Sequence, residues 1–136
     1  MKKLLSIKYS PAAFNIAFFL LRFVFGATMF IGHGYGKLVH FSERKEHFVD
    51  FLGLGSTTTL LLVIFAECFC SVFIVLGLFT RLAAIPLCIA MGYALFISNG
   101  GDIFGDGESA GHFLTVFLLL LLCGPGKWSV DGMIAK

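Results

Sequence analysis

The chain is 136 residues long, 58% hydrophobic and 13% charged, with 17 phenylalanines, a net charge of +2 and a mean hydropathy of +0.94. Soluble domains average about 25% charged residues, so this composition excludes a soluble globular protein and leaves no length for a separate soluble domain. The small net charge gives no reason to expect a nucleic-acid partner; the partner it does imply is the lipid bilayer.

Met1-Lys2-Lys3-Leu4-Leu5 has the charged opening of a secretory signal. The apolar run behind it is too long, carries Arg22 and lacks a small-x-small cleavage site, so it reads as a retained first span. Four spans are expected in one domain, 1–136, at roughly 12–34, 57–78, 82–98 and 106–123, against about 20 residues for a crossing helix. Pro11 suits the first turn of helix 1, and Gly32, Gly34 and Gly36 loosen its far end.

In the connection His40–Gly55, Phe41, Phe48, Phe51 and Leu52 share one face at helical spacing. Ser42 is placed to cap it and Gly53 and Gly55 to stop it, which predicts an amphipathic helix in the membrane interface. A very short turn at Gly77–Arg81 makes helices 2 and 3 antiparallel neighbours, with Pro86 in the first turn of helix 3. The fourth apolar run, Ala110–Cys123, is too short alone and draws Glu108 and His112 toward the membrane. Gly124-Pro125-Gly126 then ends helix 4. The fold class is all-α, a four-helix transmembrane bundle with one interfacial helix between helices 1 and 2.

Lys2, Lys3, Lys8, Arg81, Lys127 and Lys136 gather on one side of these spans, and the acids of the two longer loops on the other. The positive-inside bias therefore puts both termini in the cytoplasm. Cys68 and Cys70 point to nearly opposite sides of a helix and do not suit a disulfide; all four cysteines read as small apolar filler.

Arg22 and Glu67 sit near the middle of apolar runs, where a charge costs roughly 2.5–3.5 kcal/mol on insertion scales. Counted from the cytoplasmic ends of their own runs, at Ala12, Leu78 and Cys123, Arg22 lies at about 15 Å and Glu67 and His112 at about 16 Å. This depth match predicts an Arg22–Glu67 pair with His112 in the same layer. Asn15, Arg22, Gly26, Met29 and His33 form one stripe of helix 1, with Lys37 slightly off it. The expected interior is a polar seam with Arg22, Glu67 and His112 in the middle and His33, Lys37 and Glu108 toward an outward mouth. These six are the candidate ligand-binding or proton-exchange residues; catalytic residues are not identified. No clustered Cys/His set suggests a metal. His33, about 31 Å from the inner boundary, is too far from His112 in depth for a bis-histidine haem.

Leu20-Leu21-Arg22, Gly32-His33-Gly34-Tyr35-Gly36-Lys37-Leu38, Glu67, Gly77-Leu78-Phe79-Thr80-Arg81-Leu82-Ala83-Ala84 and Gly124-Pro125-Gly126-Lys127-Trp128-Ser129-Val130-Asp131, in this order, resemble the DoxX family of small bacterial inner-membrane proteins. The resemblance implies a four-helix transmembrane bundle, and an association with membrane redox chemistry, including subunits of thiosulfate:quinone oxidoreductase and oxidative-stress complexes. Three readings stand beside one another. The chain is a redox-associated membrane subunit binding a quinone-like or small molecule; or a non-enzymatic scaffold for protein partners in a membrane complex; or, as a homo-oligomer, a small solute or ion conductor.

Overall fold

The Ser10 hydroxyl accepts the Ala13 N–H at 3.1 Å, and Pro11 fills the first helical position, where a missing N–H costs nothing. From there α1 runs Pro11–Val39, about 44 Å at 1.5 Å per residue. This computed structural model describes residues 1–135. α1 continues through a wide π turn at Phe30–Gly34 without breaking. After it come α2 (Phe41–Arg44), α3 (Ser56–Leu76), α4 (Thr80–Ser98), α5 (Glu108–Cys123) and α6 (Val130–Ile134). Among the described residues there is no strand.

α1, α3 and α4 are long and apolar enough to cross a membrane, whereas α5 has 16 residues, about 24 Å against a hydrocarbon core of about 30 Å. α1 packs chiefly on α3 and α4 on α5, while further contacts of α4 with α3 and of α1 with α5 close the bundle. Met29, Ile74, Ala84, Leu87, Phe117 and Leu120 form its centre. A smaller cluster, Leu60, Ile64 and Cys68, lies under Phe30, Phe41 and Phe48 at the connector end. Large apolar side chains such as Leu61, Phe69, Ile89 and Leu122 remain exposed on the spans, as lipid-facing positions do.

Two small residues set the α1–α3 distance. A methyl group on Gly26 would meet Val75 at 2.7 Å, and one on Gly34 would meet the Glu67 carbonyl at 2.7 Å. Backbones approach this closely in membranes only where side chains are absent.

The expected helix across 40–55 is confined to the single turn Phe41–Arg44. Beyond it local turn bonds win over helical periodicity: Asp50 Oδ1 accepts the Gly55 N–H at 2.8 Å, Thr59 Oγ1 accepts the Phe51 N–H at 3.0 Å, and Ser56 Oγ donates to the Lys45 carbonyl at 2.7 Å. Phe41 and Phe48 still turn inward, but Leu52 is exposed. Pro86 lies inside α4 and not in its first turn, because α4 begins at Thr80. All four cysteines are free thiols; Cys68 and Cys70 are buried and Cys123 is exposed.

α3 ends on Gly77 at φ 70°, with the Leu78 N–H reaching back to the Phe73 carbonyl at 2.9 Å. That left-handed stop turns the chain straight into α4. Asp131 of α6 caps α4 from outside: its carboxylate accepts the Phe79 and Thr80 N–H groups at 2.8 and 2.9 Å. Its own N–H donates to the Gly77 carbonyl at 2.8 Å. Replacing Asp131 with alanine should destabilise the fold by about 1–2 kcal/mol. Thermal unfolding in detergent measures this, and the matching Asp131→Asn change should recover roughly half.

Candidate functional site

The stripe read on α1 faces inward as a unit: Asn15, Arg22, Gly26 and Met29 are all buried. Arg22, however, does not meet Glu67. Its guanidinium donates to four main-chain carbonyls, those of Pro125 (3.1 Å), Ile74 (3.4 Å), Val75 (3.1 Å) and Trp128. Ile74 and Val75 are in the last turn of α3, so Arg22 takes up the Val75 carbonyl, joins the Gly77 N–H (3.1 Å) on that of Ile74, and complements the helix's negative end. Asn15 adds a fifth tie, its Oδ1 accepting the Lys127 N–H at 2.8 Å. Gly77 must be glycine here, since a side chain would strike both the Arg22 guanidinium and Ser129.

The start of α1 is not level with the end of α3, as equal depths would require: α1 begins about 16 Å before Arg22, and the segment 124–128 packs along that overhang. Arg22 thus lies roughly 11 Å farther along α3 than Glu67.

Glu67 pairs instead with Lys37, Nζ to Oε2 at 2.6 Å, and this is the one ion pair among the described residues. Glu67 sits on the π turn Phe65–Cys70 of α3, which packs on the π turn of α1. Such wide turns recur where a helix is shaped for function. Ser71 Oγ donates to the Glu67 carbonyl at 2.5 Å, taking up part of the main-chain capacity the wide turn frees.

The pair lies on the wall of a groove of about 410 Å³ between α3 and α4. Phe48, Val49 and Phe51 of the connector line it at one end, and Ala66, Met91 and Ala94 line it within the bundle. Leu62, Phe65 and Ile89 on the spans and Val49 on the connector are its half-exposed members. The groove therefore opens along its flank as well as at the connector end, and it is mainly apolar, not the polar, outward-facing seam expected from sequence. A second hollow of about 280 Å³ lies along the same seam and shares Phe65 and Pro86 with the first.

Residues 17–100, from the first half of α1 through the end of α4, match the DoxX family. The chain belongs to the DoxX family. An uncharacterised protein of Haemophilus influenzae is 33% identical over 138 residues, covering 95% of this chain and 96% of the relative. An uncharacterised membrane protein of Mycobacterium tuberculosis is 34% identical over 84 residues, 52% of either chain. No solved structure is significantly similar to this chain.

In this DoxX protein the other candidates are dispersed. His33 is half-buried, its ring edge-on to Phe113 at 5.3 Å. Glu108 and His112 share a face of α5, but both are exposed and turned away from the bundle interior, which α5 meets with Phe113, Val116, Phe117 and Leu120. Among the described residues no group of three His, Cys, Asp or Glu is arranged to hold a metal ion. Tyr93, Ser98 and Thr59 line the groove beside the ion pair and were not singled out from sequence. Tyr93 stands edge-on to Phe51 at 5.0 Å. No local signal marks it, because its place depends on where the connector folds.

Proposed function

We propose that this DoxX protein is a redox-associated subunit of the bacterial inner membrane that holds a lipophilic, quinone-like molecule in the groove between α3 and α4. The observation that carries this reading is the Lys37–Glu67 pair, 2.6 Å apart, on the wall of an otherwise apolar cavity of about 410 Å³. Small-molecule sites combine these features: a volume of roughly 300–1,000 Å³, apolar walls and a few placed polar groups. Entry between Leu62, Phe65 and Ile89 lets a ligand pass from lipid without crossing water.

Lys37 offers donors to a carbonyl oxygen of the head group, and Glu67 offers an acceptor to a hydroxyl. Tyr93 and Ser98 line the same cavity. The tail follows the second hollow past Phe65 and Pro86. A bound quinone would supply two-electron, two-proton chemistry; the chain's own part is to seat it, exclude water and present the Glu67 carboxylate as an acceptor to its hydroxyl. Arg22, with four carbonyls engaged, serves the frame and not the ligand. We place both termini in the cytoplasm, since Arg81 and Lys127 lie with the amino-terminal lysines at one end of the bundle, as the positive-inside bias favours.

The test is purification in mild detergent followed by mass spectrometry of extracted lipids. The wild-type protein should retain quinone, and a Lys37→Met/Glu67→Leu variant, in which no charge is left unpaired, should hold roughly tenfold to a hundredfold less. A wild-type preparation free of quinone that also fails to take up decylubiquinone would sink the reading.

A further inference from the structure

At the end of the bundle that we place in the cytoplasm, the main chain of the tail is pinned inward. The Trp128 carbonyl accepts from Arg22, the Lys127 N–H goes to Asn15 Oδ1 at 2.8 Å, and the Asp131 N–H to the Gly77 carbonyl at 2.8 Å. Ser129 Oγ accepts the Gly132 N–H at 3.0 Å and donates to the Gly126 carbonyl at 2.6 Å. With the backbone so engaged, the side chains of Lys127, Trp128, Met133 and Ile134 are left exposed. Phe79 joins them from the α3–α4 turn. Its φ of 47° is uncommon for a bulky residue; Asp131 holds it there through the Phe79 N–H, and the ring stays 60% exposed.

Charge says what covers this face. Lys8, Arg81 and Lys127 are all exposed here. Asp131 is the one acidic side chain at this end, and it is occupied in capping α4. The other seven of the chain's eight acids lie in the connector, in mid-α3, in the loop after α4 or at the start of α5. Free cations beside an indole and a phenyl ring suit the headgroup layer, where aromatic side chains settle and the inner leaflet is negatively charged. Length agrees independently. At 16 residues α5 covers about 24 Å of a core of about 30 Å, and the tail folded behind Cys123 brings apolar side chains to the level where the helix falls short.

We propose that this face is a docking surface for anionic phospholipid. Trp128, Phe79, Met133 and Ile134 sit among the upper parts of the acyl chains, and Arg81 and Lys127 engage the phosphate-bearing headgroups. The Arg81 guanidinium lies across the end of α5, its Nε 3.4 Å from where a side chain on Gly124 would begin. Its planar fork matches a phosphate, whereas Lys127 acts as a point charge. The exposed apolar ring around these cations selects a lipid over a soluble anion, because a soluble anion would leave the ring in water.

Trp128 is the chain's one tryptophan, so its emission reports on this face alone. The full chain is placed in nanodiscs of phosphatidylcholine with a minor share of phosphatidylglycerol, one lipid or the other carrying bromines on its acyl chains. Bromines near the headgroup should quench Trp128 more than bromines near the chain ends. Brominated phosphatidylglycerol should quench as though enriched about fivefold beside Trp128, the scale of one cation near an anionic surface. In the Arg81→Gln/Lys127→Gln variant that quenching should fall to the bulk share. Quenching by brominated phosphatidylcholine should persist there, which also shows that the variant is folded and inserted. Both ends of the bundle meet the same lipids and no quinone is added, so the result depends neither on orientation nor on the groove's ligand. Quenching of Trp128 by aqueous iodide but by neither lipid overturns the proposal. So does phosphatidylglycerol acting at its bulk share in the wild type, or an enrichment that survives loss of both cations.

Discussion

Arg22→Leu should cost this fold about 3–5 kcal/mol. Leucine strands the carbonyls of Val75, Pro125 and Trp128, while that of Ile74 keeps the Gly77 N–H at 3.1 Å. Each buried acceptor so stranded costs on the order of 1–3 kcal/mol, tempered where water reaches the half-exposed Trp128 segment. The loss should appear as a fall in Tm of about 10 °C or more in detergent, and as early proteolysis after Cys123, where the tail loses its anchor. Arg22→Lys separates charge from geometry, since an ammonium cannot reproduce the planar fork. It should therefore recover less than half of the loss. A leucine variant with an unaltered Tm and a protected tail would show that the four contacts do not hold this end of the bundle together.

The second large effect is expected at the Lys37–Glu67 pair, and it is asymmetric. Lys37→Met leaves a buried carboxylate without its cation, an error that costs about 3–5 kcal/mol in buried pairs. Glu67→Leu leaves Lys37, whose side chain is 17% exposed and whose flexible stem can carry the ammonium toward water; about 1–2 kcal/mol should be lost. The variant carrying both changes should lie close to the wild type, because matched apolar groups often replace a buried ion pair without penalty. A double-mutant cycle followed by unfolding in lipid bicelles measures the coupling. Additive losses would mean that the two side chains do not depend on one another.

The bundle itself was legible because the sequence places apolar runs between Gly and Pro stops, and lipid enforces helices on such runs. The inward stripe of α1 was legible for the same reason: Asn15, Arg22, Gly26 and Met29 follow the helical period, and all four are buried. What the sequence left hidden was vertical register. Periodicity fixes direction around a helix, but it does not say which residue of one helix lies level with which residue of the next. Arg22 and Glu67 appeared level only because each was measured from its own apolar boundary. Gly26 and Gly34 carried the missing information, as residues eight apart that press α1 against Ser71–Val75 and against Glu67 and Cys68 respectively. α5 defeated the reading differently. It is apolar nearly all round, so the buried row Phe113–Phe117–Leu120 does not stand out against its leucine-rich outer face. The groove was invisible for a third reason, since its end wall comes from a connector held by turn bonds and not by any periodic pattern.

Arg22 binds only main-chain oxygens, so its lock is blind to the side chains that flank it. Trp128, more than half exposed, is free to drift to other residues provided the path of the backbone survives, whereas Ile74 is held by the core it fills and Val75 by its contact with Gly26. Pressure to stay unchanged falls on the arginine and on Gly77, which keeps the keyhole open.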